Sequence, residues 1–122
     1  MKHQMNGTLT AENSHHYLSH RFNVPEGATR LDIDFQYAPK RVGNYGNLLT
    51  LSLFDPNGDR GTGHRGQPNQ HITVSTGEAT PGYIPGALAA GIWDIMINCN
   101  LINPGAPVEY QFDMGVAILN HS

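Results

Sequence analysis

Apolar and polar residues alternate along most of this chain. Over residues 29–37, Leu31, Ile33, Phe35 and Tyr37 fall on one side and Arg30, Asp32, Asp34 and Gln36 on the other, the two-residue period of a strand with one dry face. Residues 15–24 repeat the pattern, with Leu18, Phe22 and Val24 set against Tyr17, Ser19, Arg21 and Asn23. Residues 48–54 put Leu49, Leu51 and Leu53 opposite Leu48, Thr50, Ser52 and Phe54, and residues 91–101 are apolar in part on both faces, which places that strand centrally. Shorter alternation at 71–75, with Ile72 and Val74 inward, and a long one at 108–119 complete the set.

Between these blocks lie turn residues. Pro25-Glu26-Gly27, Asp55-Pro56-Asn57-Gly58 and residues 103–107 fix φ, bond their own backbone or accept positive φ, so the chain reverses there. Residues 38–47 form a polar connection long enough to cross between sheets. Residues 59–70, Gly-rich and aperiodic, read as an exposed loop. Residues 76–90 read as an ordered, non-repetitive crossing. Residues 1–14 are mostly polar and predict a loose start, with at most a short edge strand at 5–10; residues 15–119 form the domain and 120–122 a tail. No amphipathic helix interrupts the strands, which predicts an all-β, two-layer antiparallel β-sandwich, jelly-roll-like or of a related kind, rather than a closed barrel.

Composition narrows the reading. The 122 residues are one domain's length and can bury roughly two thirds of the unfolded surface, enough for a core without staples. A net charge of −3 supplies no basic face for nucleic acid or an anionic membrane, so neither partner is expected. Cys99 is the only cysteine and reads as a buried strand thiol. The first 25 residues lack a charged start followed by an apolar run, and no stretch approaches the ~20 apolar residues of a membrane helix; a cytoplasmic location is expected.

Several stretches carry a resemblance. Phe22-Asn23-Val24-Pro25-Glu26-Gly27, the strand from Leu31 to Tyr37, Phe54-Asp55-Pro56-Asn57-Gly58, Ala90-Gly91-Ile92-Trp93-Asp94-Ile95 and Tyr110-Gln111-Phe112 resemble, in that order, bacterial prepeptidase C-terminal-like β-sandwich domains. Ala79-Thr80-Pro81-Gly82-Tyr83-Ile84-Pro85-Gly86 followed by Gly91-Ile92-Trp93 looks like the sandwich ahead of the catalytic domain in metallohydrolases of the polymerase and histidinol phosphatase (PHP) superfamily. The resemblance implies a non-catalytic domain appended to an enzyme. The metal ligands of that catalytic domain have no matching positions in this sequence.

Four groups of residues compete for a functional role. Arg60, His64 and Arg65, with Tyr83 from the crossing segment, form the expected interaction surface, because a cation fork beside a solvent-facing aromatic suits carbohydrate or protein recognition. His16 and His20 would share a face as a zinc pair on a helix, but on a strand they lie roughly 13 Å apart at ~3.3 Å per residue. Asp55, Asn57 and Asp59 have the alternating oxygens of a calcium loop, yet Arg60 and Gly66 stand where the EF-hand needs Gly and Glu; an Asx turn on Asp55 explains them as well. Asp32 and Asp34 read as solvated acids and Trp93 as core. No nucleophile elbow or carboxylate pair in a cleft is present. The expectation is therefore a non-catalytic accessory or binding domain without a cofactor. A metal-binding or metal-dependent hydrolase domain using zinc or calcium is one alternative, and a homo-oligomer formed through an open sheet edge is another.

Overall fold

The computed structural model describes residues 1–63 and 65–119. The alternating segments form strands where the pattern predicts them: β2 (His16–Val24), β3 (Ala28–Ala38), β6 (Leu48–Asp55), β8 (Asn69–Ser75), β9 (Gly91–Leu101) and β10 (Val108–Ile118). Three further pieces add to these: β1 (Lys2–Leu9), a small ribbon of β4 (Arg41–Val42) and β5 (Tyr45–Gly46), and β7 (Gly58–Thr62). No α-helix occurs among the described residues, and no helix is long and apolar enough to cross a membrane.

Two four-stranded antiparallel sheets pack face to face, one ordered β1-β10-β3-β8 and the other β2-β9-β6-β7. Apart from the β6–β7 hairpin, successive long strands alternate between the sheets, which is jelly-roll order. The chain thus forms an all-β sandwich, and residues 38–47 and 76–90 cross between its layers. Leu31, Ile33, Phe35 and Phe112 from one sheet meet Leu49, Leu51, Leu53, Trp93, Ile95 and Ile97 from the other, all fully buried. Each of these aliphatic side chains contributes about 1.5–3 kcal/mol of burial. Cys99 is buried on the inner face of β9, where burial pushes its thiol up.

Two expectations are corrected. The start of the chain is not loose: β1 pairs along its whole length with β10, from Lys2 opposite Gly115 to Leu9 opposite Val108. Its inward positions are His3, Met5, Gly7 and Leu9, too few large apolar groups to show in the pattern. Gly7 is needed there, because a Cβ would lie 2.5 Å from Tyr110 Oη. The supposed loop after Asp55 opens with β7, whose Arg60 and Gly61 are buried. Gly61 adopts φ +112°, and a Cβ there would collide with the Gly82 carbonyl. The crossing segment lies directly on the strand, which is why a charged, glycine-rich sequence forms an ordered edge. The tail 120–122 falls outside the described residues.

Candidate functional site

The Asp55 turn fixes the first group of candidates. Asp55 Oδ1 accepts the N–H of Asn57 at 2.7 Å and of Gly58 at 2.9 Å, the Asx turn that the sequence implies. Its other oxygen accepts from Arg60 Nη1 at 3.0 Å, both side chains being more than nine-tenths buried. Arg60 also donates from Nε to the Ile84 carbonyl, from Nη1 to Ala87 and from Nη2 to Gly86, and its guanidinium lies 5.1 Å from the Trp93 ring centre. Four of its five donors are thereby occupied. Arg60 is accordingly a rivet that ties the crossing segment to β7, not the solvent-facing fork expected of it. Asp59 caps the Gly61 N–H, and Asn57 is exposed. The Asp55 and Asp59 oxygens thus serve the turn and the start of β7.

Tyr83 departs from expectation in the same way. It is 9% exposed, bonds the Leu51 carbonyl through its hydroxyl, and burial raises its pKa to about 12. Arg65 is exposed and shares with Tyr83 a cleft of about 440 Å³ that also includes His71 and Ile72. Of the expected surface, Arg65 and Tyr83 meet at this cleft while Arg60 lies in the interior, and His64 lies outside the described residues.

The two histidines on β2 are equally separate. His16 is exposed. His20 turns inward, with Nε2 2.8 Å from Tyr110 Oη and its ring against Tyr110 and Phe112. Its Nδ1 is buried without a partner among the described residues, and desolvation lowers its pKa. No group of three His, Cys, Asp or Glu side chains able to hold a metal ion occurs among the described residues.

The outer face of the β3 sheet carries Arg30, Asp32, Asp34 and Asp113. Register places Gln4, Asp113, Asp34 and His71 in one row across four strands. Asp34 Oδ1 lies 2.6 Å from His71 Nδ1, and His71 Nε2 lies 3.0 Å from Thr73 Oγ1, a carboxylate–imidazole–hydroxyl line that sequence reasoning missed. Nucleophilic use would require the hydroxyl proton to go to the imidazole. Thr73 instead donates it to Asp32 Oδ1 at 2.7 Å. Burial pushes the Asp32 carboxyl up, but hydrogen bonds from Arg30 and Thr73 outweigh it and hold the group below its ordinary value. Asp113 is held by Gln4 and Gln111. The carboxylates are engaged with neighbours on an open, wet surface.

The outer face of the β6 sheet is built differently. Tyr17, Asn98 and Thr50 stand in one cross-strand row, with Met96 and Ser52 in the next. Asn98 Nδ2 donates to Thr50 Oγ1 at 3.2 Å and to Ser52 Oγ at 3.0 Å, Asn100 Nδ2 donates to Thr50 Oγ1 at 3.0 Å, and Ser52 bonds Thr62 at 3.0 Å. Although these side chains point away from the core, Thr50, Ser52 and Asn98 are only 7–8% exposed. Tyr17 beside them is 71% exposed. With Leu48 and Gly63, Tyr17 and the bonded hydroxyl and amide side chains line a groove of about 420 Å³ that carries no charge among the described residues. The arrangement presents fixed hydroxyl and amide groups next to a free aromatic plate.

No protein-family model matches the chain, and no curated protein matches it.

Proposed function

We propose that this chain is a non-catalytic binding β-sandwich that recognises polysaccharide through the outer face of the β6 sheet. One observation carries the reading: hydroxyl and amide groups on an outward sheet face are buried and bonded to one another beside an exposed tyrosine. A solvated sheet surface needs no such network, whereas a binding site gains from polar groups already held in place, since less ordering is left for the ligand to bring about. A sugar ring has an apolar C–H face suited to Tyr17 and a rim of hydroxyls suited to Asn98, Asn100 and Thr50. Jelly-roll topology alone assigns no ligand. An accessory role beside a PHP-type catalytic domain, which the resemblance of residues 79–86 and 91–93 implies, is part of the same proposal and is supported by that motif alone.

Affinity electrophoresis and calorimetry of the purified chain against neutral glucans, mannans, galactans and xylans test the reading. At least one of them should bind, and Tyr17→Ala should weaken binding tenfold or more, about 1.4 kcal/mol, with thermal stability unchanged. If none binds, or if the variant binds as tightly as the parent, the reading falls.

A further inference from the structure

The hydrogens in the groove have definite directions. Thr50 Oγ1 accepts from both Asn98 Nδ2 and Asn100 Nδ2. A hydroxyl oxygen has two lone pairs, so both are filled, and the one role left to this hydroxyl is to donate. Both hydrogens of Asn98 Nδ2 are likewise committed, one to Thr50 and one to Ser52. Its carbonyl oxygen Oδ1 has no partner among the described residues and is not among the buried unpaired atoms, so it opens on the groove as an acceptor. A fixed donor and a fixed acceptor thus stand side by side on adjacent strands, whose directly opposed residues hold their Cβ atoms roughly 5 Å apart. Tyr17 flanks the pair in the same row.

We infer that the groove reads a vicinal diol of a neutral sugar, one hydroxyl accepting from Thr50 and its neighbour donating to Asn98 Oδ1, with the ring stacked on Tyr17. This inference rests on the saccharide-binding reading above and adds the chemistry of recognition. A trans secondary amide points its N–H and C=O in opposite directions and meets the pair poorly, whereas adjacent hydroxyls point both ways from one edge of the ring. A carboxylate has acceptors only, so it fits Thr50 and is refused by Asn98. Among the described residues no side chain lining the groove is charged, so none of them compensates an anionic ligand.

The test compares methyl glycosides of glucose, mannose and galactose with their 2-, 3- and 4-deoxy analogues by amide chemical-shift titration of the intact chain. For the glycoside that binds, removal of one hydroxyl of a single vicinal pair should weaken binding tenfold or more. Thr50→Val should bind the parent glycoside as weakly as the wild type binds the deoxy analogue that lacks Thr50's acceptor, with no further loss when variant and analogue are combined. Thr50→Ser should restore binding. If no glycoside binds, the saccharide-binding reading itself fails. If a glycoside binds in a Tyr17-dependent way but no single deoxygenation matters, or Thr50→Val leaves affinity unchanged, the diol inference alone is overturned. Should Thr50→Val not fold, the deoxy series on the wild type and on Thr50→Ser decides by the same criteria.

Discussion

The two sheets treat their polar side chains in opposite ways. On the β3 sheet Arg30 reaches Asp32 at 2.9 Å, with the two side chains 50% and 35% exposed. On the β6 sheet Arg60 reaches Asp55 at 3.0 Å, with 7% and 8%. The distances match, yet water screens the first pair and is excluded from the second. An exposed pair is worth little, whereas a buried arginine whose partner is removed leaves a charge that nothing else compensates. The outward-facing hydroxyls and amides extend the contrast: the β3 sheet keeps its acids among solvated neighbours, and the β6 sheet seals Thr50, Ser52 and Asn98 into a network. The first face leaves its polar groups in water, and the second holds them bonded to one another.

Arg60→Ala should break the contrast most. It strands the Asp55 carboxylate and releases the carbonyls of Ile84, Gly86 and Ala87, and should cost about 3–5 kcal/mol, read as a fall in Tm of about 10 °C or more. A loss no larger than that of Arg30→Ala would show that the two pairs are equivalent after all.

Smaller is the effect of acid on the seam between β2 and β10. Burial holds His20 below its ordinary value of 6.5, so the unfolded chain binds more protons than the native one as pH drops below that value, and stability should fall with it. Asp94, whose carboxylate accepts the His20 backbone N–H at 3.0 Å, opposes the shift, and Tyr110 is the ring's hydrogen-bond partner. Urea midpoints at pH 7.5 and 5.5 should therefore separate more in the wild type than in His20→Gln; equal separations would remove His20 from the account.

Arg30→Ala should do least, within about 0.5 kcal/mol by chemical denaturation, and the difference should shrink further in high salt. A larger, salt-insensitive loss would mean that the outer face of the β3 sheet is as tightly bonded as that of the β6 sheet.

The turn at Asp55 was legible because Asp, Pro, Asn and Gly act on their own backbone within four residues, and that local chemistry survives in the structure. The burial of Arg60 was not legible, because three of its four acceptors lie 24 to 27 residues away in the crossing segment. The sequence of β1 gives no strand signal because His3 and Gly7 are not large apolar residues, although each faces a neighbour across the sandwich or within its own sheet. The row of Tyr17, Asn98 and Thr50 escaped notice for the same reason as Arg60. Each is an unremarkable polar or aromatic residue on the wet side of its strand, and Asn98 and Thr50 stand 48 positions apart.

The alternation of side chains, by itself, determined the six long strands β2, β3, β6, β8, β9 and β10, their inward faces and the two-layer architecture, because burial of every second residue is a local consequence of strand geometry. Which polar groups would be sealed and which left in water was decided only by register and by the path of residues 76–90 over β7, since a hydrogen bond between distant strands depends on how they are aligned and not on what surrounds each residue in sequence.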